Sequence, residues 1–142
     1  MEPKSLNLIY GKLLTYREIT DEESLVEMRA AVKMHAVDMG FSLINQTKLV
    51  TAASELGRNV IEHGLGGAVK IEQITNLGRV GLRMIFTDSG PGIEDMSLAL
   101  SDGYTSKKGL GLGLSGSKRL MDEFEIESTA GCGTTVVVTK WT

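Results

Sequence analysis

The apolar residues of this chain recur at helical intervals in its first third and at strand intervals after residue 67. Leu25, Met28, Val32 and Met39 follow near-helical spacing and predict an amphipathic helix packed on a sheet. It opens at Thr20-Asp21-Glu22-Glu23, where Thr20 as cap and Glu23 three residues later fit a capping box, and it stops at Gly40. A connection over residues 41–45 leads to a second helix over residues 46–63, with Val50, Ala53, Leu56 and Val60 as its buried stripe. Before these helices, residues 5–10 and 13–19 read as two short strands around Gly11-Lys12. After them, residues 68–75 and 79–87 are strands joined by a turn at Asn76-Leu77-Gly78, and Val80, Leu82, Met84 and Phe86 share one face. Residues 94–100 suit a short helix, and residues 101–108 form a polar stretch. A last helix runs from about Gly113 to Met121. Residues 124–128 and 134–140 close the chain as a hairpin around Ala130-Gly131-Cys132-Gly133.

Composition narrows the class. At 142 residues, with 42% hydrophobic and 23% charged, the chain suits one domain with a real core, residues 1–142, to which residues 1–12 add an N-terminal strand. A single cysteine, Cys132, forbids an intramolecular disulfide and fits a reducing cytoplasm. No signal peptide is expected, because no basic segment precedes an apolar one at the start. No apolar run approaches the roughly 18 residues of a membrane span, so no membrane role is expected. The net charge of −3 argues against nucleic acid as a partner. Glycine stands out, with 17 residues, most of them between Gly57 and Gly133, which marks a middle built on tight loops.

The candidate chemistry begins in the second helix. Glu55 and Asn59 are four residues apart and so share a face. A carboxylate can accept a proton, and an amide oxygen is a hard ligand of the kind Mg²⁺ takes. Alone, such a pair is an ordinary solvated face. Asp88-Ser89-Gly90-Pro91-Gly92-Ile93 ends a strand in a loop whose glycines let the backbone approach a flat partner. The run from Gly109 to Gly116 contains G-x-G-x-x-G, but a polar stretch precedes it and hairpin strands follow, so it does not open the βαβ unit of a dinucleotide fold. It is not a P-loop either, because Ser117 stands where lysine must follow Gly116. The signatures of the common protein-kinase fold are absent. Alternating glycines before a helix expose backbone N–H groups beside a positive helix end, which favours phosphate, and Lys107 and Lys108 add charge there.

In order along the chain stand Glu-x-x-x-Asn on a helix, Asp-x-Gly-x-Gly after a strand, Gly-x-Gly-x-Gly before a helix, and Gly-x-Gly-Thr in a hairpin. This order resembles the N, G1 and G2 boxes of the GHKL ATPases, over nearly the whole domain. Within that superfamily the chain resembles the bacterial anti-sigma-factor serine/threonine kinases. More narrowly, Ser54-Glu55-Leu56-Gly57-Arg58-Asn59, the run from Gly109 to Leu114, Lys118-Arg119-Leu120-Met121-Asp122-Glu123-Phe124 and Lys140-Trp141 resemble the RsbT-type switch kinases of the stressosome. The resemblance implies a two-layer α/β sandwich, a mixed and mostly antiparallel sheet with helices on one face. It implies ATP and Mg²⁺ as cofactors and a STAS-domain protein as substrate or scaffold. A phosphatase activated by binding is a further partner, and the alternative is a nucleotide-gated switch that sequesters a sigma factor. By the same resemblance Asn59 would hold Mg²⁺ against the phosphates, and Glu55 would be the catalytic carboxylate. Asp88 would accept a hydrogen bond from the adenine amino group. Gly90 and Gly92 would admit the nucleotide, Gly109, Gly111 and Gly113 would line the triphosphate, and Thr134 would support the adenine end. Lys107 or Lys108 reaching the γ-phosphate is inferred from charge alone. His63, four residues beyond Asn59, is read as a helix-end residue that packs or caps, since there is no room for the dimerising helices of a histidine kinase.

Overall fold

The computed structural model describes residues 9–93, 100 and 114–142. Five strands and three helices are defined among them: β1 Gly11–Ile19, α1 Glu22–Asp38, α2 Leu43–Glu62, β2 Gly67–Asn76, β3 Arg79–Asp88, α3 Leu114–Leu120, β4 Glu123–Thr129 and β5 Gly133–Trp141. The strands form one sheet in the order β1-β2-β3-β5-β4, and each of its four pairings is antiparallel. The helices lie on one face. The core between the layers joins Leu25, Met28 and Val32 of α1, Leu49, Ala53, Leu56 and Val60 of α2, and Ile71, Leu82, Met84, Phe86, Val136 and Val138 of the sheet. No helix among the described residues is long and apolar enough to cross a membrane.

Several expected boundaries shift, each for a local reason. There is no turn at Gly11-Lys12: β1 is one strand that begins at Gly11, which pairs with Ile74 because β2 is long enough to offer it a partner. The imperfect alternation of β1 is a bulge between Leu13 and Thr15, where one extra residue shifts the register. Ile9 and Tyr10 are not in a strand, and residues 5–8 of that expected strand lie outside the described residues. The cap of α1 is Asp21 rather than Thr20, and its partner is Ser24 rather than Glu23. The Ser24 amide donates to Asp21 Oδ1 at 2.8 Å, and the Asp21 amide donates back to Ser24 Oγ at 3.1 Å. Aspartate caps at least as well as threonine, and serine completes the reciprocal pair. α2 starts at Leu43, capped by Ser42, three residues before the expected start. Val50 lies half-buried at the margin of its stripe. The β2–β3 turn narrows to Leu77-Gly78, both at positive φ (53° and 81°), as a tight two-residue hairpin loop demands. The expected helix over residues 94–100 falls almost wholly outside the described residues.

Strand alternation sends Leu82, Met84 and Phe86 toward the helices and Arg83 and Ile85 to the other face. There Ile74, Ile85, Val137 and Trp141 are buried, and the Arg83 guanidinium meets Glu72 Oε1 at 2.6–2.8 Å. Both side chains of this pair are mostly shielded, 5% and 12% exposed. Removing one partner therefore leaves an uncompensated buried charge. Glu72→Ala is expected to lower the free energy of unfolding by about 3–5 kcal/mol in urea denaturation. A loss under about 1 kcal/mol would mean that Arg83 is solvated like a surface cation.

Candidate nucleotide site

The site is built where the C-terminal end of α2 meets the C-terminal end of β3. α2 unwinds through His63, and the carbonyl of Asn59 accepts from the amides of His63 (2.9 Å) and Gly64 (3.1 Å). Gly64 then passes directly over Asp88, the last residue of β3 and the partner of Gly67 and Thr134 in the sheet. A Cβ at Gly64 would collide with the Asp88 carboxyl group, and one at Gly90 would collide with the backbone of His63 and Gly64. Helix and loop thus meet backbone to backbone around one acidic side chain. On the hairpin side Gly133, at φ 86°, presses on the Asp88 carbonyl where any side chain would clash.

Asp88 is held by main-chain donors. Its Oδ1 accepts from the Gly90 amide at 3.0 Å, and the Thr134 amide also points to the carboxylate. Burial pushes the carboxyl above its ordinary range; the two amides and the nearby His63 pull the other way without cancelling it. The loop after Asp88 is strapped to the β4–β5 hairpin. The Gly131 amide donates to Pro91 O at 2.6 Å, and the Ile93 amide donates to Ser128 Oγ at 2.8 Å. Ser128 Oγ also lies 2.8 Å from Thr134 Oγ1. Gly92, at φ 78°, makes the bend between these contacts, with the Thr129 carbonyl where its Cβ would be.

The fold therefore brings Asp88, Gly90, Gly92 and Thr134 together. Asn59, half-buried, and Glu55, exposed, lie one and two turns back along α2 from the Gly64 contact. Lys107, Lys108, Gly109, Gly111 and Gly113 lie outside the described residues. Two contributors were not singled out from the sequence, Gly64 and Ser128. Ser128 had a signal: it follows Phe124 and Ile126 on the core side of β4, so a hydroxyl there breaks an apolar series. Gly64 had none beyond its place after the helix. Among the described residues no three His, Cys, Asp or Glu side chains gather as a metal cluster. A cleft of about 570 Å³ on the opposite sheet face, lined by Tyr16, Glu18, Thr87, Glu127 and Cys132, includes neither Glu55 nor Asn59. The helix-side arrangement offers an acceptor at the foot of a notch with side-chain-free walls. That suits a flat group bearing an N–H donor.

The raised pKa of Asp88 has a consequence for stability. The folded state takes up this proton more readily than the unfolded chain. The contribution of Asp88 is most favourable below the ordinary value of 3.8 and falls as pH rises through the folded value. Asp88→Asn removes that slope, so thermal unfolding between about pH 4 and pH 8 is expected to show a midpoint at neutral pH no lower than that of the native chain. A clear fall at neutral pH would mean that the ionised carboxylate stabilises the fold.

Comparison with known proteins agrees with this geometry. The family profile described as histidine kinase-, DNA gyrase B- and HSP90-like ATPase matches residues 44–141. The chain is 42% identical to the serine/threonine-protein kinase RsbT of Bacillus subtilis over 87% of this chain and 92% of that one. It is 33% identical to an anti-sigma F factor of Clostridium novyi over 85% of this chain and 87% of that one. Among solved structures, the RsbU and RsbW domains of a Mycobacterium tuberculosis protein align at TM-score 0.56 and 23% identity, covering 89% of this chain and 32% of that one. The catalytic domain of the histidine kinase ThkA aligns at TM-score 0.52 and 18% identity, covering 89% and 95%. These two structures speak for the fold alone; the profile and the kinase relative go further. The chain belongs to the histidine kinase-, DNA gyrase B- and HSP90-like ATPase family, and within it to the ATP-using serine/threonine protein kinases.

Proposed function

We propose that this kinase binds Mg²⁺–ATP between α2 and the loops around Asp88, and transfers the γ-phosphoryl group to a serine or threonine of a STAS-domain protein in the cytoplasm. The observation that carries the reading is the Asp88 notch beside the helix that bears Glu55 and Asn59. In it Asp88 accepts from the adenine amino group. Guanine has an acceptor at the same position, so it is rejected. Gly90 and Gly92 let the loop lie against the base, and Thr134, held by Ser128, supports it from the hairpin side. Asn59 gives its amide oxygen to Mg²⁺. A metal held by one side chain, phosphate oxygens and water fits both the preference of Mg²⁺ and a site without a carboxylate cluster among the described residues. Mg²⁺ supplies charge neutralisation on the phosphates. Gly109, Gly111 and Gly113 offer amides to the triphosphate, and Lys107 or Lys108 reaches the γ-phosphate.

The transfer itself is simple in its balance. The substrate hydroxyl oxygen bonds to the γ-phosphorus, the bond from that phosphorus to the β,γ-bridging oxygen breaks, and ADP leaves. The hydroxyl proton goes to Glu55, whose exposure on α2 puts it within reach of a protein substrate. Positioning and electrostatics supply most of the rate in such reactions. Binding is a second output. α1 and the start of α2 expose Val26, Met34, Val37, Leu43 and Ile44, each about half or more accessible, which favours a lasting protein complex. A phosphatase released or engaged by such a complex suits that output; a sequestered sigma factor suits it less well.

Two substitutions separate the roles. Glu55→Gln is expected to retain Mg²⁺–ATP binding by calorimetry and lose about 10²–10⁴ in transfer from γ-labelled ATP to a STAS-domain protein. Asn59→Asp is expected to abolish transfer and magnesium-dependent binding while circular dichroism stays unchanged. Full transfer in both variants would remove α2 from the reaction.

A further inference from the structure

α3 has seven residues and little stability of its own, so tertiary contacts set its place. Its Leu114 and Ser117, with Met121 just beyond, are buried where it packs on α2, while Lys118 and Arg119 are exposed. Two buried polar side chains mark this seat, and neither has a role in the site described above. The first is Lys140, 5% exposed on β5. Its Nζ donates to the Leu120 carbonyl, the last of α3, at 2.9 Å and to Asp122 Oδ1 at 3.4 Å. The other Asp122 oxygen accepts from the Trp141 amide at 2.8 Å, and the Asp122 amide donates to Thr139 O at 3.0 Å. An ammonium on the exposed carbonyls of a helix end is favourable both as a hydrogen bond and toward the helix dipole. The C-terminal end of α3 is therefore stapled to β5.

The second is Ser117, 1% exposed, whose Oγ has no hydrogen-bond partner. A buried hydroxyl without a partner disfavours the conformation that holds it, and an alanine of nearly the same shape would not. One short helix is thus fixed at its end and unsatisfied at its middle. It is also joined directly to Gly109–Gly113, so any rearrangement of that run around phosphate reaches α3 first.

We infer that Lys140 and Ser117 are positioning residues for nucleotide binding. α3 pivots on the Lys140–Asp122 staple when nucleotide binds, and the bound position gives Ser117 the hydrogen bond it lacks here. This rests on the reading of the glycine run and Asn59 as the phosphate and metal side of the site. The two substitutions have different signatures. Ser117→Ala makes the free protein more heat-stable and weakens binding of a non-hydrolysable Mg²⁺–ATP analogue by about three- to tenfold, the worth of one hydrogen bond. Lys140→Met weakens the same binding and raises KM for ATP, with kcat at saturating ATP little changed, and Lys140→Arg restores both.

The test is calorimetry with the analogue and thermal unfolding with and without it, on the full chain. If the native chain does not bind the analogue, the nucleotide reading falls and the inference with it. If the native chain binds and Ser117→Ala shifts free and bound stability equally, or Lys140→Met leaves affinity unchanged, the inference alone is overturned. Should Lys140→Met fail to fold, Asp122→Asn, which loosens the same staple, carries the same expectation and the same refutation.

Discussion

The carboxyl group of Asp88 sits where a sheet and a helix touch without side chains between them, and the rest of the site follows from that contact. Gly64 and Gly90 meet backbone to backbone over it, and Gly133 closes against its carbonyl from the hairpin. Three segments far apart in sequence converge there: the end of α2, the end of β3 and the start of β5. Because Asp88 lies in the middle of the sheet, paired on both sides, its main chain cannot drift. The notch is therefore as rigid as the sheet, which is what a specific acceptor for a flat ligand requires.

This rigidity has an electrostatic cost. Burial raises the Asp88 pKa even though two amides donate to the carboxylate. The fold holds an acceptor partly out of water, so its free lone pairs gain most from a partner that brings its own N–H. Strain of this kind at a binding site is tolerated when the surrounding packing is over-determined. Here the core beneath it is continuous from α1 through α2 to the sheet.

Polar side chains elsewhere hold the layers in register. Arg83 and Glu72 anchor the face away from the helices. Lys140 and Asp122 tie α3 to the last strand, and Trp141 adds an indole N–H to Glu123 Oε2 at 2.6 Å, with Arg79 stacked 4.7 Å over its ring. The terminal Lys140-Trp141 pair is thus a structural fastening for the helix that follows the glycine run. As letters in the sequence these residues pointed only to a relationship; their contacts give them a physical task.

The sequence by itself determined the elements and the order of the chemistry. Periodicity of 3.6 and 2 marked α1, α2, β2, β3 and the closing hairpin, because burying one face imposes those intervals on any chain. Asp88, Gly90, Gly92 and Thr134 were legible because turn chemistry restricts such positions to few residue types. Boundaries were less so: Asp21 outcompeted Thr20 as cap, and the length of β2 turned an expected turn at Gly11 into strand, both choices between nearly equal local options. Tertiary structure alone decided that Gly64 lies on Asp88, that Ser128 joins two loops, and that Lys140 is buried on α3. These are contacts between residues 20 to 35 positions apart, or across layers, and no local periodicity encodes which distant backbone a side chain will meet.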